Sequence, residues 1–259
     1  MHRWLSSNGM KIAWFSPKSR CLNVVLSLIA PLSIISAITS LAVAAPTGPD
    51  VSSWQHPGGR MIDWFAVKRA GHDFAMVKAT EGIHYVNPYF LADSLQMRAA
   101  GMARGTYHYA RPALPPEPQA AMYAAVALGQ NGPLDLPPVL DLEDSGGLRP
   151  PALIDWTRRY LGTVQALTGR VPIIYTYPSF WRTAMADTGE FAGYPLWIAD
   201  YRGNPQPEVP GGWPTWTFWQ TTDRGTIPGI AGRVDLNVYS GAQGDLARFA
   251  NTRGLTGSG

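Results

Sequence analysis

The stretch Pro138-Val139-Leu140-Asp141-Leu142-Glu143 is an apolar strand pattern that closes on two carboxylates two residues apart. Strand side chains alternate between faces, so Asp141 and Glu143 share one face, roughly 6.5–7 Å apart at ~3.3 Å per residue. Two like charges at that separation in a partly dry cleft resist ionising together. One carboxyl then keeps its proton near neutral pH and can serve as a general acid. Glu143, nearer the strand end, is expected to be that acid, with Asp141 as its partner. Asp144 faces the other way and reads as a loop or cap residue. A bare Asp-x-Glu also ends strands that do no chemistry, so the pair has to be weighed with its neighbours.

Those neighbours are suggestive. Asp50 closes the first strand pattern, Asp235 opens the last, and Tyr107, Tyr109, Tyr175, Tyr177, Trp197, Tyr201, Trp219 and Gln220 mark the ends of others. Carboxylates ringed by aromatics suit a sugar chain, because flat rings lie on pyranose faces while an acid protonates the glycosidic oxygen. Lys78 and Glu81 read as an ion pair or turn contact, and Asp200 as either a substrate-orienting group or a structural hydrogen-bond partner. His56, His72, His84 and His108 show no metal-binding spacing, and His108, alternating with two tyrosines, should face away from them. No metal and no cofactor are expected, and no GxSxG elbow occurs.

The elements that must position these groups alternate. Strand patterns at 50–52, 74–80, 106–110, 138–143, 172–177, 196–201, 215–220 and 234–239 are interleaved early on with helical ones at 62–70, 88–100, 118–128 and 151–167. Gly71, Gly101 and Gly129 stand where helix C-caps are expected. Such alternation implies parallel pairing, and eight strands imply closure into a barrel. The last third carries no helical face between 220 and 234, whereas a parallel return usually runs through a helix. The expected fold is α/β: one irregular β/α barrel with the last strand antiparallel, which puts Asp235 at the same mouth as the other strand ends.

Taken in order, Asp50-Val51-Ser52-Ser53-Trp54-Gln55, Val77-Lys78-Ala79-Thr80-Glu81-Gly82, Gly105-Thr106-Tyr107-His108-Tyr109, the Asp141/Glu143 strand, Leu196-Trp197-Ile198-Ala199-Asp200-Tyr201, Phe218-Trp219-Gln220 and Val234-Asp235-Leu236-Asn237 resemble glycoside hydrolase family 25 from about Pro49 to Gly241. The resemblance implies a flattened barrel of five β/α units followed by three strands, and a lysozyme cutting the β-1,4 bond between N-acetylmuramic acid and N-acetylglucosamine. It implies Glu143 as acid, Asp141 as its neighbour, Asp50 and Asp235 completing an acidic cluster, and Tyr107, Tyr109, Tyr175, Trp197, Tyr201, Trp219, Gln220 and Asn237 as substrate-binding residues. The expected mechanism is retaining, with the substrate's acetamido group as nucleophile; a direct nucleophilic Asp and an inverting route with Asp235 as base are the alternatives. Departures are His56, where the family usually has glycine, and Pro49. A non-catalytic peptidoglycan-binding barrel and a chitinase-like hydrolase are the alternatives; retention of all four carboxylates speaks against the first.

Residues 1–45 contain Arg3, Lys11, Lys18 and Arg20 but no acidic residue, then an apolar run from Cys21 ending in Leu41-Ala42-Val43-Ala44-Ala45. This reads as a secretory signal cleaved near Ala44 or Ala45, with an uncleaved membrane anchor as the rival. Its removal takes the formal charge from +3 to −1 and removes the single cysteine, so disulfides and thiol catalysis are excluded. No basic run remains to bind nucleic acid. The expected product is a secreted monomer acting on peptidoglycan glycan strands, with a barrel domain over 46–250 and a disordered tail over 251–259.

Overall fold

The computed structural model describes residues 44–127, 129 and 131–252; most of the signal segment and of the tail lie outside them. The chain enters as β1 (Thr47–Val51) and runs through α1 (Trp64–Arg69), β2 (Phe74–Glu81), β3 (Tyr85–Val86), α2 (Phe90–Ala99), β4 (Ala103–Tyr109), α3 (Pro116–Val126) and β5 (Val139–Asp141). It continues through α4 (Pro150–Thr168), β6 (Ile173–Thr176), α5 (Pro178–Ala184), β7 (Leu196–Ala199), β8 (Phe218–Gly225), β9 (Val234–Tyr239) and α6 (Gln243–Ala250). The sheet order is β1-β9-β8-β7-β6-β5-β4-β2-β3, and a β1–β2 pairing closes eight strands into a barrel with β3 on the outer edge of β2. Five β/α units precede three strands, as the resemblance implied, and β9 is antiparallel to both β1 and β8.

Strand periodicity sorts the core into two layers. Met76, Tyr107, Val139, Ile173, Tyr175, Trp197 and Phe218 form the barrel interior, while Val77, Leu140, Ile174 and Ile198 alternate outward against the helices. Parallel strands covered on both faces need apolar residues at successive positions, which is why β5 and β6 read as continuous apolar runs. α4 stops where Gly169 takes φ 67°, a left-handed turn that glycine adopts without steric cost.

Three features depart from the expected element map. β8 begins at Phe218 and runs on to Gly225, because beyond Gln220 it forms an irregular hairpin ladder with β9. β5 ends at Asp141, although the Leu142 N–H still donates to the Tyr175 carbonyl at 3.0 Å. α5 and α6 were not anticipated: α5 is short, and α6 buries Leu246 and Ala250 against the barrel interior. The link from β7 to β8 is parallel yet has no helix.

Candidate active site

Barrel closure brings the first and last strands together with Asp50 and Asp235 as direct cross-strand partners. Their side chains share a hydrogen bond. Gln220 Nε2 donates to Asp50 Oδ2 at 2.7 Å and reaches Asp235 Oδ2 at 3.4 Å, while Asn237 Nδ2 donates to Asp50 Oδ2 at 2.8 Å. Both amides are oriented by their oxygens: Gln220 Oε1 accepts from the Tyr175 hydroxyl at 2.9 Å and from that of Tyr201, and Asn237 Oδ1 accepts from Trp197 Nε1 at 2.8 Å. Burial pushes the Asp50 carboxyl up against the opposing effect of its amide donors. Asp235 is pushed up to about 8, by burial first and then by the Asp50 charge and their shared bond. Two carboxyls in this contact resist ionising together, so the pair holds on to a proton, with Asp235 as the donor in the shared bond and Asp50 as the acceptor.

Across the same cleft stand Asp141 and Glu143. The cleft has a volume of about 300 Å³; its floor is these four carboxylates, and Tyr107, Tyr109, Tyr175 and Trp197 form part of its wall. Tyr175 packs edge-on to Trp197 with centroids 4.6 Å apart, which fixes the wall's geometry. Glu143 was expected to be the carboxyl that keeps its proton; in fact both rise. Asp141 is raised further, by burial first and then by the Glu143 charge, because it sits within the ladder and is only 6% exposed. Glu143 lies beyond β5 and is half-buried; burial raises it, while a hydrogen bond from Tyr109 and the Lys78 charge work the other way. Asp141 Oδ1 is buried without a protein partner, an acceptor facing a cleft that a donor could enter.

The residues singled out from sequence do not all meet here. Tyr107, Tyr109, Tyr175, Trp197 and Gln220 line the cleft with the four acids. Tyr201 reaches the cluster through its hydroxyl, which bonds to Gln220 and Tyr175, and Asn237, 1% exposed, acts from behind Asp50. Trp219 is a correction: it follows the inward Phe218 on β8, so it points outward, packs with Trp216 at 6.0 Å and donates its indole N–H to the Asp200 carbonyl. Asp200 is occupied by Arg202 and by the Glu208 N–H at 2.9 Å. His108 faces away as expected, between Thr80 (2.7 Å) and Gln119 (3.1 Å), and burial lowers it to about 4.

Five cleft-lining residues, Val51, Ser52, Trp54, Gln55 and Lys78, escaped the sequence reading as site groups, and two of them present a charge and an exposed ring. Lys78 lines the cleft although it was read only as an ion-pair member. Trp54, 85% exposed, stands on the cleft wall; an exposed tryptophan beside Asp50 was the available signal. Its segment is built rigidly. Ser52 and Gln55 form a capping box, Tyr85 donates to Ser53 Oγ at 2.9 Å, and His56 is buried against Asp93 at 2.9 Å and stacked on Tyr89 at 3.9 Å. Asp93 also accepts from Trp64 Nε1 at 3.0 Å, so the unusual His56 has a complete set of partners. Among the described residues no group of three His, Cys, Asp or Glu is placed to hold a metal ion.

A family model described as glycosyl hydrolases family 25 matches residues 49–230. The chain is 39% identical over 213 residues to Lysozyme M1 of Streptomyces globisporus, covering 79% of this chain and 71% of that one. It is 32% identical over 238 residues to the N,O-diacetylmuramidase of Arthroderma benhamiae, covering 85% and 97%. Among solved structures, the bacterial lysozyme from Streptomyces coelicolor matches with a TM-score of 0.76 at 36% identity, covering 80% of this chain and 98% of that one.

Proposed function

The chain belongs to glycosyl hydrolases family 25, and from that premise we propose that it is an N-acetylmuramidase, hydrolysing the β-1,4 bond between N-acetylmuramic acid and N-acetylglucosamine in peptidoglycan. The observation that carries the reading is the meeting of Asp50, Asp141, Glu143 and Asp235 in one aromatic-walled cleft. Glu143, the more accessible of the raised pair, protonates the leaving glycosidic oxygen. The muramic acetamido oxygen attacks the anomeric carbon, and its N–H donates to the unpartnered Asp141 Oδ1. That donor stabilises ionised Asp141 and moves the pair's proton onto Glu143, so the bound substrate itself readies the acid. Glu143 then takes a proton from water, which opens the oxazolinium ring with net retention. Asp235, protonated and bonded to Asp50, is a poor base for an inverting attack. Tyr107, Tyr109, Tyr175 and Trp197 shape the sugar site; Gln220 and Asn237 hold Asp50, and Tyr201 supports Gln220.

Residues 46–259 should clear suspensions of bacterial cell wall and release fragments ending in reducing muramic acid. Glu143→Gln should lose activity by about 10²–10⁴-fold, the usual worth of a general acid. Wall binding without cleavage by both proteins would move the reading to a binding barrel, and fragments from chitin alone to a chitinase-like enzyme. Proton NMR of the first-formed anomer tests retention. We place the mature chain outside the cytoplasmic membrane as a monomer, which the N-terminus of the exported protein and its mass in solution will test.

A further inference from the structure

Tyr109, the hydrogen-bond donor to Glu143, carries two cations on its ring: Lys78 Nζ lies 4.5 Å and Arg111 Cζ 4.6 Å from the centroid. Both are tethered to one carboxylate. Glu81 accepts from Lys78 Nζ at 2.8 Å through Oε2, and from Arg111 Nε at 3.0 Å and Nη2 at 2.5 Å through Oε1. Arg111 is held again by Asp144 at 3.1 Å. Residues three apart on a regular strand point to opposite faces, so Lys78 and Glu81 should not meet. They do because the β2–β4 register shifts between Lys78 and Thr80, an irregularity that re-aims one side chain and leaves Glu81 opposite Tyr109.

We infer that Glu81 is a positioning residue for the acid: by holding Lys78 and Arg111 against the Tyr109 ring it aims the phenol O–H at Glu143 and keeps Lys78 inside the carboxylate cluster. This rests on the reading of Glu143 as the acid. Glu143 faces Asp141 from the end of β5, Tyr107 and Tyr109 from β4, Lys78 from β2, Asp50 from β1, Tyr175 from β6, Asp235 from β9, and Arg111 and Tyr177 from the segments after β4 and β6. Of these only Lys78 and Arg111 are cations, and both hang from Glu81. A cation on the ring also polarises the phenol into a stronger donor. Burial works against the Glu81 charge, but the bonds from Lys78 and Arg111 outweigh it and leave its carboxyl below the usual range, so it stays ionised.

Removing Glu81 has opposite consequences under the two roles it could have. As a bystander it is one more negative charge, whose loss eases ionisation of the neighbouring acids and lowers their pKa values. As the tether, its loss lets Lys78 swing into water and leaves Arg111 on Asp144 alone, and the acids rise instead. The test is Glu81→Ala beside Lys78→Met, read by a ¹³C titration of the Glu143 carboxyl and by the pH profile of wall hydrolysis. The expected result is an upward shift of about 0.5–1 pH unit in both variants, with kcat down about tenfold or more and KM within about twofold for Glu81→Ala. A downward shift or none overturns the inference. Glu81→Asp, with the same charge on an arm one carbon shorter, should shift upward by less and replaces the alanine variant if that fails to fold. A wild-type chain that cuts no wall would refute the proposed activity, while the Glu143 titration would still decide the role of Glu81.

Discussion

Asp235→Asn should make the protein more stable, and increasingly so as the pH rises. In the folded state Asp235 is pushed up from 3.8 to about 8, so between those values the native protein binds a proton that the unfolded chain has released. Stability from this group is thus fully present below pH 4 and is lost as pH rises through 8. Over that pH interval the bound proton corresponds to about 5–6 kcal/mol at ~1.36 kcal/mol per pH unit. Water reaches one side of Asp235 and the proton is shared with Asp50, so we halve this to about 2–3 kcal/mol. Asparagine keeps a permanent N–H donor for Asp50 and never has to ionise. Thermal melts of both proteins from pH 4 to 10 should coincide near pH 4 and separate by about 5–10 °C above pH 8. Other buried acids tilt both curves alike, so the difference isolates this group. A separation independent of pH, or one that shrinks as pH rises, would refute the shared-proton account.

Trp54→Ala should raise KM for wall substrate about 3- to 10-fold, the worth of one ring stacked on a sugar face, with kcat and melting temperature unchanged because the side chain is 85% exposed; an unchanged KM would remove it from the binding surface. Trp219→Phe should cost about 1 kcal/mol through the lost bond to the Asp200 carbonyl and leave KM unaltered, since the ring faces away from the cleft; a large KM effect would contradict that placement. His56→Ala takes a hydrogen-bond partner from the buried Asp93 carboxyl and should destabilise by about 1–3 kcal/mol in urea unfolding. A loss under 1 kcal/mol would show Asp93 to be satisfied without it.

Much of the architecture was legible because parallel β/α units write their layers into the chain as local periodicity. Apolar runs at 74–80 and 172–177 became β2 and β6, and the missing helical face after Gln220 marked the antiparallel return that carries Asp235. Local periodicity did not mark α5 and α6 because they are only seven and eight residues long, too short for a helical repeat to stand out.

By itself the sequence determined which chemistry was present: Asp-x-Glu at a strand end, acids on the first and last strands, and aromatic residues at the ends between. Pattern reports the face a residue occupies relative to its own neighbours, and that sufficed for Asp141, Glu143 and His108. Only the tertiary structure decided which groups share protons and bonds. Asp50 meets Asp235 because closure pairs strands at opposite ends of the domain; Gln220 and Asn237 serve Asp50 because β8 and β9 pair in the register that brings them beside it. A shift of register turned Lys78 and Glu81 toward each other, and the face of β8 opposite Gln220 carried Trp219 out of the site. Register and closure depend on contacts far apart in the chain, so a local pattern can name the candidate residues but not their partners.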